Sequence, residues 1–278
     1  MLLVNCHFKK AIKLGGNMEK TDYANWIPKK LVFILGAASV VTISLFAASC
    51  LLKGGFIITV IKAVLFILAV LSTGFFCYMY YARKLFSYEG GGVQGKVLDN
   101  VLNHLNWDGN GKLLDVGCGS GAMVIKAAKR FPNAKITGMD YWGALWDYAK
   151  EQCENNAKIE GVSDRVHFQK GDAAKLDFAD AEFDAVVSNF VFHEVKTQPD
   201  KVALIKEVLR VIKPGGVFSF GDLFFSKANY KDLDVLMETL SKEVSEIHFS
   251  ETRKSDFIPR ILATPVLLGE TGLIYGRK

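Results

Sequence analysis

The chain has 278 residues, which is enough for one large domain and a smaller segment, and 50% of the residues are hydrophobic. Residues 1–84 carry ten Lys or Arg and two acidic residues, a net charge of +8, whereas residues 85–278 carry 24 basic and 27 acidic residues, a net charge of −3. This division argues against a nucleic-acid partner for the larger part, and the positive charge near the N-terminus suits anionic lipid headgroups instead.

Residues 1–30 are interpreted as a cytoplasmic N-terminal segment, and the first seventeen of them show no convincing helix or strand. Gly15 and Gly16 stand shortly before Met18. Adjacent glycine codons can encode a purine-rich ribosome-binding sequence. Met18 is therefore a second candidate for the first residue of the protein.

Two apolar stretches predict a transmembrane helical hairpin over residues 31–84. Residues 31–52 contain no charge, and a helix of this length spans roughly 33 Å, enough for a hydrocarbon core of about 30 Å. Residues 53–55 interrupt the run, and residues 56–82 supply a second span with one charge, Lys62, whose long side chain is predicted to reach the interface. Three tyrosines near the other end are predicted to lie at the opposite interface: Tyr78, Tyr80 and Tyr81.

Basic residues in the short flanks predict the orientation of this hairpin. Lys29 and Lys30 precede the first span, and Arg83 and Lys84 follow the second. Both termini and the domain after the hairpin are therefore predicted to be cytoplasmic. Three alternatives stay open, namely a cleaved signal peptide, a buried pair of helices in a soluble protein, and a second helix that is re-entrant or lies in the membrane plane.

From residue 85 onward, short apolar runs alternate with longer amphipathic stretches, which is typical of an α/β sheet. Helices are predicted over residues 93–105, 122–130, 143–160 and 200–211. Strands are predicted over residues 112–116, 135–139, 166–169, 183–188 and 217–222. The tail is predicted to hold a helix, a strand, a short helix and a final strand, over residues 229–244, 247–250, 256–262 and 273–275. The predicted fold is a doubly wound, mostly parallel seven-stranded sheet with an antiparallel last strand.

Residues 113–121, Leu-Leu-Asp-Val-Gly-Cys-Gly-Ser-Gly, are the strongest local signal, because a predicted strand ends there in a glycine-rich turn before a helix. Glycine permits the dihedral angles and the close main-chain approach that a ligand-binding turn needs. The pattern Gly117-x-Gly119-x-x-Ala122 also fits a dinucleotide fingerprint. Asp115 would repel a pyrophosphate but attract the ammonium and sulfonium groups of S-adenosylmethionine. The run resembles motif I of the class I S-adenosylmethionine-dependent methyltransferases.

Four further segments follow in the order and spacing of that family. Asp140 ends the second predicted strand and is positioned to accept hydrogen bonds from ribose hydroxyls, a device that a dehydrogenase shares. The resemblance implies that Asp172, in residues 171–173, accepts a hydrogen bond from the adenine amino group. Residues 183–190 resemble the segment whose far end lies beside the transferable methyl, and residues 207–216 resemble the signature before strand five. The likeness covers residues 88–225 and is greatest to the branch of quinone and sterol C-methyltransferases and small-molecule O-methyltransferases.

The resemblance implies S-adenosyl-L-methionine as the cofactor, bound by residues in or beside the loops after the first four strands. These candidates are Asp115, Gly117, Cys118, Gly119, Gly121, Asp140, Tyr141, Asp172, Ala173, Asn189 and Phe190. Three aromatic residues are candidates to cover the adenine: Tyr141, Trp142 and Trp146. Two more are candidates to line an acceptor pocket: Phe224 and Phe225. Ordinary core packing is the alternative for each of these aromatic residues.

His193 is the predicted general base, with Glu194 as the residue that orients it. A sulfonium methyl is already electrophilic, so its transfer needs mainly alignment of the nucleophile, together with removal of a proton from an oxygen, nitrogen or enolate acceptor. The alternative is that His193 caps or packs the loop after the fourth strand. Tyr88 and the glycines at 90–92 are candidates for a flap over the cofactor, with a plain linker as the alternative.

The sequence thus predicts a membrane-anchored methyltransferase that acts on a small, membrane-soluble acceptor, with the lipid bilayer as a partner and no nucleic acid. The rival interpretations are a dinucleotide-dependent dehydrogenase and a membrane-tethered S-adenosylmethionine-binding sensor or scaffold without catalysis. No metal site is predicted, because the five cysteines form no CxxC pair and show no metal-ligand spacing.

Overall fold

The computed structural model describes residues 20–88, 91–143 and 149–278, which form two units. The hairpin unit contains Asn25–Lys96 and Pro259–Leu262. The sheet unit contains the described residues up to Ala24, Val97–Ile258 and Ala263–Lys278. The alternative start at Met18 and the predicted adenine cover Trp146 lie outside the described residues, as do two residues of the predicted flap, 89 and 90.

Two long apolar helices form most of the hairpin unit. α1 spans Lys29–Cys50 and α2 spans Phe56–Phe86. Both are long and apolar enough to cross a membrane, with mean hydropathy of 2.4 and 2.5. Only 11% and 6% of their most apolar windows are buried, so these helices do not resemble the buried core helices of a soluble protein. The predicted spans correspond to two helices whose apolar side chains are mostly exposed.

Hydroxyl groups and capping bonds hold this hairpin together. Ser39 Oγ lies 2.7 Å from Thr73 Oγ1 across the two helices, a type of contact that joins helices where no water is present. At the turn between the helices, Lys62 Nζ donates to the Leu52 carbonyl at 3.0 Å. At the opposite end, Asn25 Nδ2 donates to a backbone carbonyl of α2 at 2.9 Å.

The sheet unit contains seven strands in the order β3-β2-β1-β4-β5-β7-β6. The strands are β1 Gly111–Val116, β2 Ala134–Asp140, β3 Val166–Lys170, β4 Phe183–Asn189, β5 Ile212–Asp222, β6 Glu246–Ser250 and β7 Gly272–Arg277. β1 to β5 pair in parallel, and β7 is antiparallel to both of its neighbours. The predicted fold class is confirmed. The strand order reverses between β1 and β4, and ligands of such sheets bind beyond the carboxyl ends of the strands at that point.

The helices connect these strands and cover their apolar side chains. They are α3 Val93–Asn103, α4 Ala122–Arg130, α5 Lys150–Ile159, α6 Lys201–Arg210, α7 Lys227–Tyr230 and α8 Leu233–Ser241. Asp200 caps α6, because its Oδ1 accepts from two backbone N–H groups of the first turn at 2.9 and 3.2 Å. α6 then buries Leu204, Ile205 and Val208 in the main core cluster, where each such side chain stabilises the fold by about 1.5–3 kcal/mol.

Three predicted elements beyond residue 200 differ from the structure. β5 begins at Ile212 rather than at residue 217, so the Pro-Gly-Gly sequence that predicted a turn lies within a strand, beside a register shift in β4. The helix predicted over residues 229–244 is two helices, because Lys231 has a φ of +57° and Asp232 caps a new helix. The short helix predicted over residues 256–262 is replaced by 3-10 turns at Thr252–Lys254 and Arg260–Leu262.

The helix predicted from residue 143 begins later in the structure. Gly143 and Ala149 are not helical, residues 144–148 are not described, and α5 starts at Lys150. Trp142 has a φ of +44°, which is incompatible with a right-handed helix starting directly after it. The described residues directly after β2, 141–143, are therefore not helical, and Trp142 lies beside the glycine-rich turn.

The segment that precedes the hairpin packs within the sheet unit. Asp22 N donates to Asn156 Oδ1 at 2.9 Å, and Asn156 Nδ2 donates back to the Asp22 carbonyl at 2.7 Å. Ser120 Oγ donates to the Tyr23 carbonyl at 2.7 Å, and Tyr23 Oη donates to Glu160 Oε1 at 2.9 Å. The described part of the N-terminal segment thus contacts both α5 and the glycine-rich turn, an arrangement that the sequence did not predict.

Candidate active site

The glycine-rich turn after β1 forms the floor of the candidate site. Gly117, Gly119 and Gly121 have φ angles of +77°, +55° and +79°, which non-glycine residues rarely adopt. A Cβ added to Gly117 would lie 2.1 Å from Val191 Cγ2. The absence of a side chain at Gly117 therefore allows the loop after β4 to lie directly against the turn, and it brings the segment of His193 to this edge of the sheet.

Asp115 is the buried carboxylate beneath the turn. It is 1% exposed, and its Oδ2 has no hydrogen-bond partner among the described residues. Burial, with a smaller contribution from the charge of Asp140, holds the pKa of Asp115 well above its usual value. A buried carboxylate without a partner is costly unless a positive group compensates it. This orphaned oxygen fits a ligand that brings a cation to the turn.

Asp140 ends β2 and ties the turn to the next loop. Its Oδ2 accepts from Gly119 N at 2.8 Å, and its Oδ1 accepts from Trp142 N at 2.7 Å. Burial raises the pKa of Asp140, although these backbone hydrogen bonds act in the opposite direction. Trp142 Nε1 also donates to the Gly119 carbonyl at 3.0 Å, so this ring lies beside the turn. Tyr141, in contrast, is 62% exposed.

The remaining predicted cofactor residues after β1 and β3 are buried in the protein or form hydrogen bonds with neighbouring residues. Cys118 is buried, and burial holds the pKa of its thiol well above the usual value, so it remains a neutral packing residue. Asp172 Oδ1 accepts from Ala174 N at 2.9 Å and from Thr197 Oγ1 at 3.1 Å. Ala173 is buried in the core. Both of these bonds use the Oδ1 atom of Asp172, whose role toward the adenine stays a prediction.

The end of β4 contributes an amide and a strained aromatic residue. Asn189 Oδ1 is buried with no hydrogen-bond partner among the described residues, and Asn189 lines a narrow pocket together with Asn100 and Thr252. Phe190 has a φ of +57°, while its N–H donates to the Gly221 carbonyl at 2.8 Å. A bulky residue in this conformation is uncommon, and such strain is concentrated at functional sites.

His193 forms an ion pair with a buried carboxylate at the end of β5. Its Nδ1 lies 2.5 Å from Asp222 Oδ1, and Asp222 is fully buried. Glu194 is further away, with its Oε1 3.4 Å from His193 Nε2. The nearer partner of this ring is therefore Asp222, whose carboxylate also accepts from the His193 and Leu223 N–H groups, and the orienting role of Glu194 stays a prediction.

This pairing determines the protonation of His193. Burial on its own would lower the pKa of the imidazole, but the hydrogen bond and charge of Asp222, followed by those of Glu194, raise the pKa to about 9. The ring is therefore mostly protonated at neutral pH. A histidine held by a buried carboxylate has a fixed orientation and tautomer, as a proton-transfer group requires.

Asp222 is the site residue that sequence reasoning missed. Asp222 is the last residue of β5, as Asp140 is the last residue of β2. The sequence feature that could have identified Asp222 is an acidic residue at the carboxyl end of a predicted parallel strand. The predicted acceptor-pocket residue Phe224 is 1% exposed and packs against Tyr230, with ring centroids 4.9 Å apart. Phe224 is thus a core residue, which corrects its predicted role. Among the described residues, no cluster of three or more metal-ligating side chains occurs.

The family comparison covers the centre of this sheet unit. Residues 113–216 match a family model described as a methyltransferase domain. That range begins in β1 and ends within β5, so it contains the glycine-rich turn, Asp140, Asp172 and His193. The matched range thus includes the glycine-rich turn and the buried carboxylate of Asp115.

Several relatives are named methyltransferases, and their names give different acceptors. The chain is 36% identical over 121 residues to the sterol 24-C-methyltransferase of Aspergillus fumigatus, a match that covers 44% of this chain and 30% of that protein. It is 27% identical over 189 residues to the demethylmenaquinone methyltransferase of Lactobacillus johnsonii, which covers 59% of this chain and 75% of that protein. The chain thus spans less than a third of the length of the sterol methyltransferase that it matches.

The solved structures agree in fold. The structure of the cyclase SpnF has a TM-score of 0.50 and 22% identity to this chain, and the match covers 66% of this chain and 80% of that one. The domain match and the named relatives show that the central part of the sheet unit is similar to methyltransferase domains. S-adenosyl-L-methionine is the cofactor that these comparisons indicate, and the orphaned carboxylate of Asp115 fits its positive charges.

Proposed function

We propose that the protein is a membrane-anchored methyltransferase that moves a methyl group from S-adenosylmethionine to a small, lipophilic acceptor. The observation that carries this proposal is the meeting of two features at one edge of the sheet. One is the glycine-rich turn above the buried Asp115, and the other is the His193–Asp222 pair beyond β4 and β5. The contact between Gly117 and Val191 joins the two features.

Several residues would hold the cofactor at this edge. The backbone of Gly117–Gly121 and the carboxylate of Asp115 would bind its charged amino-acid part, Asp140 its ribose, and Asp172 its adenine. Tyr141, Ala173, Asn189 and Phe190 remain proposed members of the same site. When bound, the cofactor supplies an electrophilic methyl group, so the protein must mainly align the acceptor and exclude water.

His193 is the proposed general base, and Asp222 holds its ring. At neutral pH only a small fraction of His193 is unprotonated, because its pKa is about 9. The acceptor proton passes to Nε2, while Nδ1 keeps its hydrogen bond to Asp222. The resulting imidazolium is stabilised by the same buried carboxylate. Glu194, which lies near Nε2 and is 50% exposed, is proposed as a secondary partner only.

The hairpin is proposed to anchor this domain in a membrane, with both termini in the cytoplasm. The support is the apolar surface of α1 and α2 and the basic residues at the ends where the chain enters and leaves the hairpin. The named acceptors of the relatives include a sterol and a menaquinone precursor. Both are small lipophilic molecules, so an acceptor dissolved in the bilayer is the substrate class that this arrangement favours.

The test uses the full chain in lipid nanodiscs with S-adenosylmethionine labelled in its methyl group. A membrane lipid extract from the source cells is supplied as the acceptor pool, and labelled products are separated by mass spectrometry. We expect cofactor binding by calorimetry and one class of labelled lipophilic product, which the His193→Ala variant forms roughly 100-fold more slowly. Binding without any product from lipid or soluble extracts would instead favour a sensor or scaffold, and binding of NAD alone would favour a dehydrogenase.

A further inference from the structure

The residues of the hairpin that lie at equal depth follow from contacts between its two helices. Gly36 faces the ring of Phe76, and Ser39 faces Thr73. Each step back along α1 therefore corresponds to an equal step forward along α2. Lys29, at the start of α1, is consequently level with Arg83, near the end of α2. These basic residues define the level of the lipid headgroups.

Tyr78 lies five residues before Arg83 on α2. At about 1.5 Å per residue it is roughly 7.5 Å closer to the centre of the apolar region. Helical side chains also lean toward the N-terminus of their own helix, which for α2 is the end away from the basic residues. The hydroxyl of Tyr78 is therefore at the boundary between headgroups and acyl chains, or deeper.

A segment from the far end of the chain reaches this boundary. Tyr78 Oη donates to the Ile261 carbonyl at 3.1 Å, and Pro259–Leu262 belongs to the hairpin unit. Leu262 is fully buried in the structure, whereas the Ile261 side chain is 42% exposed. Residues 257–269 contain a single charged residue, Arg260, which is exposed. An apolar segment with one long basic side chain is suited to the headgroup boundary of a membrane.

We propose that residues 259–262, in the connection between β6 and β7, form a third membrane contact that inserts into the interfacial layer beside α2. The occupant of this surface is the bilayer itself, because the segment is continuous with the apolar surface of the hairpin. This proposal rests on the hairpin being embedded in a membrane.

The same connection starts and ends at the sheet edge that carries the candidate active site. It leaves β6 at Ser250, which pairs with Leu273, and it returns into β7 at Gly272, which pairs with Asp222. Asp222, which holds His193, thus pairs with the residue at which this connection enters β7.

Depth-dependent fluorescence quenching tests the contact. The full chain is reconstituted into nanodiscs whose lipids carry bromine near the headgroup end of the acyl chain, and Ile261→Trp is compared with the parent, which has four tryptophans. We expect the added emission to be blue-shifted and to lose more than half of its intensity to brominated lipid. Val235→Trp on α8, at a residue 60% exposed, is the matched control and should not be quenched.

Two further variants keep the outcome decisive. Arg260→Trp probes the same turn at an exposed position, and it replaces the first variant if Ile261→Trp is not stably folded. Phe66→Trp, ten residues into α2, reports on the hairpin alone and is measured in lipid that carries bromine near the end of the acyl chain. Quenching of Phe66→Trp without quenching of either loop variant would overturn the third contact. Absence of quenching in Phe66→Trp would overturn the membrane anchoring on which it rests.

Discussion

At the scale of single residues, Asp115 makes cofactor affinity dependent on pH. Burial and then the charge of Asp140 raise its pKa, so part of the population is protonated at a pH where an ordinary aspartic acid is ionised. A cationic ligand favours the carboxylate, and binding therefore releases a proton. We expect the affinity for S-adenosylmethionine to rise with pH until Asp115 is fully ionised in the free protein.

Calorimetry in buffers of different ionisation enthalpy measures that proton release. Asp115→Asn should abolish it and weaken binding by about 1.5–3 kcal/mol, the usual loss for a hydrogen bond to a charged group. Asp164→Asn, at an exposed residue, is the control and should change neither quantity. Unchanged affinity in Asp115→Asn would show that the orphaned oxygen does not face the cofactor.

His193 is expected to affect turnover without affecting cofactor binding. Removing a general base typically costs 100-fold or more in rate. His193→Ala should therefore lower kcat by roughly 100-fold, while calorimetry shows the affinity of the parent for S-adenosylmethionine. Full activity in this variant would mean that alignment alone suffices and that the acceptor arrives already ionised.

Replacing Asp222 should shift the pH profile of kcat/KM, because Asp222 raises the pKa of His193. In the parent, activity rises with pH toward about 9, because a base acts only when deprotonated and the pKa of His193 is about 9. In Asp222→Asn the burial that lowers the pKa is no longer opposed by the buried charge, so the acid limb moves to lower pH. Glu194→Gln, with the smaller contribution, should shift the limb less. A profile that does not move in Asp222→Asn contradicts the pairing.

Site residues could be predicted from the sequence where a local sequence pattern surrounds them. Asp115 precedes the glycines of its own turn, and Asp140 ends an apolar run, so each is recognisable within a few residues of sequence. The partner of His193 was assigned to the adjacent Glu194 because sequence reasoning weights near neighbours. Asp222 lies 29 residues further along, and only the pairing of β4 with β5 brings it to the ring.

At the scale of elements, the contact between the glycine-rich turn and the loop after β4 is testable by a matched pair of glycines. Gly117 and Gly215 have nearly equal φ angles, +77° and +78°. An added Cβ meets Val191 at the first position and nothing within 4 Å at the second. Both alanine variants carry the left-handed strain of about 1–2 kcal/mol, but only Gly117→Ala also forces the two loops apart.

We therefore expect Gly117→Ala to lose more stability than Gly215→Ala and to lose cofactor affinity as well. Urea unfolding and calorimetry measure the two effects. The double variant Gly117→Ala with Val191→Ala should recover part of the loss, since neighbouring sites are not additive. Equal losses in the two glycine variants would mean that the close approach has no energetic consequence.

The strands were predictable because each combines an apolar run with turn residues at its ends, and the prediction for α4 was confirmed at both of its ends. The start of β5 was not, since Lys213-Pro214-Gly215-Gly216 is a turn signal by every local rule. Pairing with β4 through a register shift at Phe183 overrides that signal. A tertiary contact that outweighs local preference cannot be read from the segment itself.

At the scale of the whole molecule, the basic flanks of the hairpin predict its orientation. A reporter that is active only outside the cytoplasm should give no signal when fused after Lys278, but it should be active when fused after Gly55, in the turn between α1 and α2. The opposite pattern of activity would place the sheet unit on the side without S-adenosylmethionine and would contradict the proposed function.

The sequence indicated a hairpin followed by an α/β domain, with the N-terminal segment outside both. Composition gives no sign that residues 20–24 belong with the sheet unit, because their bonds to Asn156 and Ser120 use ordinary polar groups. Pro259–Leu262 was predicted only as part of a short helix over residues 256–262, and its composition gives no sign that it belongs to the hairpin unit. The periodicity of hydrophobic residues predicts helices and strands, but it does not predict which distant element a short polar segment or turn contacts.

The contact of Asp22 with Asn156 also has a consequence for the order of events during synthesis. The two residues are 134 positions apart, and the hairpin lies between them. Asp22 and Tyr23 therefore leave the ribosome long before Ser120, Asn156 or Glu160 exist, and α1 and α2 are synthesised in between. Docking of the N-terminal segment is consequently a late step, which completes only after α5 has formed.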